Sequence, residues 1–202
     1  MLIKVIFFLF FSLTSLAQAE SLGYETLTPA QPTQNQDKIE IIEFFGYACP
    51  HCDSLDPILE KWLKTKPANV EFIRQPVVFS PVWEKHAKAY YVAEALGVTD
   101  KIHSDFFYAL HVKKQKLSSE DQLAKFFVEH GVDEAKFRST YNSFLIDTQL
   151  RQSKAIPPRY GITGVPTIII NGKYKTSGSL AKTYPNMIKV IDQLIQQESQ
   201  LK

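Results

Sequence analysis

Two cysteines are all that this chain of 202 residues contains, and its other shortages are as informative. Acids and bases nearly cancel, with 21 Asp and Glu against 23 Lys and Arg, so no basic face for nucleic acid is expected. No apolar stretch reaches the roughly 20 residues of a membrane-spanning helix; the run Val5 to Leu16 stops short of it. A structural zinc site wants four ligands and usually a second close-spaced Cys or His pair. His86, His103, His111 and His130 provide none, so no metal is expected. With no cysteine beyond one pair, a disulfide framework is excluded as well.

What is present begins with a leader. Lys4 supplies a positive start, Val5 to Leu16 an apolar middle, and Ala17-Gln18-Ala19 a small-residue cleavage site, the pattern of a secretory signal peptide over residues 1–19. No cysteine stands at the cleavage site, which argues against a lipid-anchored protein. Export implies an oxidising compartment, yet the chain has no cysteine to spare for a structural bridge.

The pair itself is Cys49-Pro50-His51-Cys52. It follows the apolar run Ile41-Ile42-Glu43-Phe44-Phe45, which reads as a buried strand, and precedes a helical stretch from Asp53 to Lys64. A Cys-x-x-Cys at a strand-to-helix turn is a redox signature. Cys49 falls at the helix N-cap and Pro50 at the first helical position, where its missing N–H costs nothing. The free N–H groups and the positive end of the helix dipole then favour a Cys49 thiolate. His51 adds a donor, or a positive charge when protonated. Cys52 lies a turn deeper, so an exposed attacking sulfur and a shielded resolving one are expected. Read instead as a stabilising bridge, the pair closes too small a loop to constrain the unfolded chain much.

Residues 20–38 form a polar lead-in, with Tyr24-Glu25-Thr26-Leu27 offering a short edge strand. Residues 39–81 then read β-α-β: strand Ile39 to Phe45, a helix that Pro57 inside it should kink, and strand Val70 to Arg74 closed by Pro76. Such a unit implies parallel strands. Glu43 is a charge inside an apolar segment, either facing solvent or held buried for a reason. From Val82 to about Ala155 the period is helical, giving an inserted helical subdomain over residues 82–156. Its third helix opens on the capping box Ser119-Glu120-Asp121-Gln122, and Phe137, Tyr141, Phe144 and Leu145 mark a fourth. Residues 157–202 resume the sheet: Gly164-Val165-Pro166-Thr167 leads into Ile168-Ile169-Ile170, Asn171-Gly172 turns a hairpin, and Pro185 opens a last helix.

These halves, with Cys-x-x-Cys at the first helix start, resemble the thioredoxin fold: an α/β architecture with a central mixed sheet flanked by helices. Pro57 matches that family's helix proline and Val165-Pro166 its cis-proline loop. The helical insert, Cys49-Pro50-His51-Cys52 and Gly164-Val165-Pro166 together resemble the DsbA family of bacterial periplasmic thiol:disulfide oxidoreductases. The resemblance implies that Cys49 is the nucleophile and Cys52 its resolving partner, that Pro50 and His51 tune the potential, and that Val165 and Pro166 bind an extended substrate strand. It makes Glu43 a buried acid assisting proton transfer to Cys52; its usual lysine companion is replaced by Arg74, which cannot release a proton. An ordinary ion pair at the sheet end is the competing account of those two. The resemblance also implies that no cofactor is used beyond the Cys49–Cys52 disulfide. The implied partners are unfolded exported proteins with reduced cysteines, and a DsbB-like inner-membrane quinone reductase. The chain would be a periplasmic monomer. A disulfide isomerase or reductase, or a redox-active chaperone, would use the same fold. A strongly acidic Cys49 of the kind the family implies would also make the reduced form the more stable at pH 7.

Overall fold

The computed structural model describes residues 22–201, and the leader expected over residues 1–19 lies outside them. In chain order the elements are β1 (Glu25–Thr26), β2 (Ile39–Phe45), α1 (Pro50–Leu63), β3 (Val70–Pro76), α2 (Pro81–Ala95), α3 (Thr99–His111), α4 (Glu120–Glu129), α5 (Glu134–Tyr141), α6 (Phe144–Ala155), a single 3-10 turn (Pro157–Tyr160), β4 (Thr167–Ile170), β5 (Tyr174–Ser177), α7 (Gly178–Ala181) and α8 (Tyr184–Gln200). The strands form one sheet in the order β1-β5-β4-β2-β3. Only β2 and β3 run parallel; β4 is antiparallel to β2, and the hairpin β4–β5 and the edge β1 follow suit. This is a thioredoxin-like fold with helices spliced between its halves.

All seven residues of β2 are buried, because the strand is covered on both faces, and a strand so covered reads as a continuous apolar run. Its side chains still alternate. Ile39 and Ile41 pack with Leu55 and Leu59 of α1 and Ile191 and Leu194 of α8. Ile42 and Phe44 point the other way, to Tyr160, Ile162 and Ile169. Phe45, at the end of β2, and Tyr47 beyond it enter the core of the helical block with Phe106, Phe107 and Phe127. Cys49 and Cys52 belong to that same cluster, so the pair sits on the seam between the sheet and the inserted helices. Gly46 permits the seam to close: a Cβ there would lie 2.2 Å from the Trp83 ring of α2.

Four of the five helices of the insert, all but α3, are started by side chains. Ser80, Ser119, Asp133 and Ser143 each accept a hydrogen bond from the backbone N–H three residues on, the usual satisfaction of a free helix-start donor. The capping box is only half formed. Gln122 turns back past Ser119 and accepts from the N–H of Ser118 at 2.9 Å. The fourth helix read from the sequence is two, α5 and α6, parted at Asn142 and capped afresh by Ser143. Phe144 and Leu145 therefore fall at the solvent end of α6, 80% and 55% exposed, and are not core. The Arg151 guanidinium lies over the Phe144 ring at 5.5 Å. Pro76 is the last residue of β3 rather than its stop, tolerated because β3 is an edge strand. At Asn171 and Gly172 both φ angles are positive, 50° and 64°, as a tight hairpin turn requires. The Val165–Pro166 bond is cis, and so is Thr28–Pro29.

Candidate active site

α1 begins at Pro50 with Cys49 as its N-cap. Both cysteines are free thiols, Cys52 fully buried and Cys49 only 8% exposed. The expected openly exposed sulfur is corrected by this. The Cys49 thiol sits 3.4 Å from the carbonyl oxygen of Val165, so the loop before Pro166 covers it, and Pro50 and His51 are the exposed members of the motif. The difference between the sulfurs survives in their acidities. Cys49 is pulled down to about 6, first by the adjacent Cys52 thiol, against the cost of burial, then by the N–H groups of Cys52 and His51, and last by the charge of His51. Burial pushes Cys52 far above the ordinary thiol range, with Cys49 and Glu43 adding to it.

Behind Cys52 lies a buried charge network. Register pairs Glu43 of β2 with Arg74 of β3, and Arg74 Nε donates to Glu43 Oε2 at 3.2 Å. The same guanidinium donates to Glu60 at 2.6 Å and lies 3.9 Å from Asp56, both on α1. The same Asp56 oxygen, Oδ1, meets His103 Nε2 at 3.1 Å, and Oδ2 accepts from the Ser104 hydroxyl at 2.8 Å. His103 Nδ1 is 2.9 Å from the Tyr47 hydroxyl. Three carboxylates thus share one guanidinium. Burial pushes Glu43 up to about 7, opposed by Arg74 and helped by the charges of Asp56 and Glu60. Burial also keeps His103 below its ordinary range. Asp56 is held low despite burial, because His103, Ser104 and Arg74 all favour its charge. Ligand atoms of Asp56, Glu60 and His103 lie within 4.8 Å of one another, a spacing that suits a cation, and Arg74 provides the positive charge there.

On its open side Cys49 is flanked by a groove of about 830 Å³ lined by His51, Val165, Pro166, Thr167, Ser177, Lys182 and Tyr184, among others. The Tyr184 hydroxyl lies 3.4 Å from His51 Nδ1. The structure thus brings all seven residues expected from the sequence to one place: Cys49, Pro50, His51 and Cys52 at the start of α1, Val165 and Pro166 over them, and Glu43 beneath. Asp56, His103, Tyr47 and the wall from Ser177 to Tyr184 were not foreseen. Asp56 had a signal, an acid in the apolar stripe Cys52, Leu55, Leu59 of α1. The wall had none, since a stretch of Ser, Gly and Lys carries no period.

A family model for a DSBA-like thioredoxin domain matches residues 83–183, a span that starts beyond the cysteine pair. A thiol:disulfide interchange protein DsbA of Pseudomonas aeruginosa is 37% identical over 175 residues, covering 87% of this chain and 83% of the relative. That of Burkholderia cepacia is 37% identical over 182 residues, 90% of this chain and 86% of its own. The crystal structure of Pseudomonas aeruginosa DsbA superposes with a TM-score of 0.85 at 36% identity, over 89% of this chain and 93% of that one. The oxidoreductase DsbA from Xylella fastidiosa gives 0.81 at 31% identity, over 88% and 95%.

Proposed function

The chain belongs to the DsbA family of thiol:disulfide oxidoreductases, and from that premise we propose that it is a disulfide donor whose attacked sulfur is Cys49. A thiolate of an unfolded exported protein enters by the groove and attacks Cys49 Sγ. The Cys49–Cys52 bond breaks, its electrons pass to Cys52, and Cys52 takes up a proton. Glu43, with a carboxyl that exchanges protons near neutrality, is the group placed to supply it; Arg74 holds Glu43 in position and relays nothing. The second substrate thiol, deprotonated, attacks the substrate sulfur of the mixed disulfide, and Cys49 departs as a thiolate. A sulfur with a low pKa leaves faster. The substrate has then lost two electrons and two protons. One proton resides on Cys52 by way of Glu43, the other goes to solvent, and the electrons sit on the cysteine pair.

No cofactor enters this sequence of steps. Reoxidation falls to a DsbB-like quinone reductase of the inner membrane, which places the monomeric chain in the periplasm after removal of its leader. Among the described residues no helix is long and apolar enough to cross a membrane. The observation that carries the reading is the placement of Cys49 at the N-cap of α1, 3.4 Å from the Val165 carbonyl of the loop that lines the groove, with Cys52 fully buried behind it. Reoxidation of reduced ribonuclease tests it. The oxidised chain should regenerate activity in step with loss of its own disulfide, and the Cys49→Ala/Cys52→Ala double variant should not. A double variant that works as well as the wild type would make the chain a chaperone of folding instead.

A further inference from the structure

The groove beside Cys49 differs in charge from the closed cluster behind Cys52. Its one carboxylate is Glu25, and Lys175 neutralises that at 3.0 Å. The remaining ammonium is Lys182, which is exposed and pairs with no described residue. Around it stand hydroxyls: Ser177 and Ser179, whose oxygens are 2.9 Å apart, with Thr183 and Tyr184 at the start of α8. His51 closes the end nearest the reacting sulfur.

Lys182 also occupies a backbone setting that does not suit it. Its φ is +67° and its ψ −35°, where glycine fits freely and a residue with a Cβ does not. Strained residues of this kind cluster at binding sites, where the side chain justifies the strain. Here the side chain provides the groove's only uncompensated ammonium among the described residues.

We propose that Lys182 is a specificity-determining residue which makes the groove favour substrate segments carrying a carboxylate side chain close to the reacting cysteine. The inference rests on the disulfide-donor reading and deepens it: the preferred substrates are exported segments with Asp or Glu near a cysteine. A carboxylate laid along the groove meets Lys182 in place of water, and the groove's one acid, Glu25, is already paired with Lys175.

Two synthetic peptides with two cysteines each test this, differing only in Glu or Gln on either side of the first cysteine. With glutathione disulfide present to regenerate the Cys49–Cys52 bond, the full chain should turn over the Glu peptide with kcat/KM about threefold higher, the size of one exposed ion pair. The difference should lie in KM and fade at roughly 0.5 M salt. Lys182→Gly, which suits the backbone and so keeps the fold, should erase the preference, and Lys182→Glu should reverse it. Equal kcat/KM values for the wild type, or a preference that survives in Lys182→Gly, would overturn the assignment. Turnover of neither peptide would overturn the disulfide-donor reading, and this inference with it.

Discussion

The two sides of the first turn of α1 are built on opposite principles. On the groove side, Cys49 faces dipoles and charges that favour an anion: a neighbouring thiol, two backbone N–H groups and His51. On the interior side, Cys52 faces the sheet end, where three acids share one arginine and burial penalises any further charge. Only two residues of chain separate a sulfur at about 6 from one held above the ordinary thiol range. The difference shows that neighbours and depth act together: burial is the first cause at Cys52, whereas at Cys49 the adjacent thiol outweighs it.

The sharpest way to break that comparison is to remove one sulfur at a time. Cys52→Ala should stop turnover and accumulate mixed disulfides with exported proteins, because the first exchange can still occur at Cys49. Cys49→Ala should trap nothing. Non-reducing gels of both variants check it, and trapping by Cys49→Ala alone would reverse the two roles.

Next in size is Glu43→Gln. A carboxyl raised to about 7 in the folded chain contributes fully below its unfolded pKa of ~4.3 and loses that contribution as pH rises through 7. The variant keeps an acceptor for Arg74, which retains Glu60 and Asp56. It should therefore be the more stable protein above pH 7, by on the order of 1–3 kcal/mol, with no advantage at pH 4. Urea melts at both pH values measure this. The variant should also lose the step near pH 7 from its rate of substrate oxidation.

The redox dependence of stability is smaller. A bridge across this loop adds about 2 kcal/mol to the oxidised form in the loop-entropy account. Against it, a Cys49 pKa of about 6 favours the reduced form at pH 7 by at most ~1.4 kcal/mol, less what solvent screens. The expectation of a more stable reduced form at pH 7 is therefore revised to near balance. The depressed pKa contributes fully above the unfolded value of ~8.5 and is lost as pH falls through 6. Paired melts should find the oxidised form ahead at pH 6 and the reduced form ahead at pH 8.5.

His51→Ala should have the least effect, since its charge is the weakest of the causes acting on Cys49. A rise of well under one pKa unit is expected, smaller than that produced in the Cys49 titration by Cys52→Ala.

Much of this site was legible because its local chemistry is written locally. The helix start at Cys49 and Pro50, the buried strand carrying Glu43 and the Asn171-Gly172 turn depend on neighbours in sequence. The cover over Cys49 does not: Val165 lies 116 residues away, and only family resemblance pointed to it. His103 joins Asp56 from a different helix, and neither residue is among the apolar residues that set the period of its own helix, so periodicity did not point to the pair. The break between α5 and α6 was hidden because Phe144 and Leu145 continue an apolar rhythm that the chain abandons at Asn142 for a new cap at Ser143.

The central claim, that one turn of helix holds an acidic and a non-acidic thiol, is tested most directly by the ultraviolet absorbance of thiolate in the reduced chain between pH 3 and 10. A single thiolate should appear with a midpoint near 6, vanish in Cys49→Ala and persist, shifted upward, in Cys52→Ala. Two thiolates titrating together near the unperturbed value of ~8.5 would contradict the account.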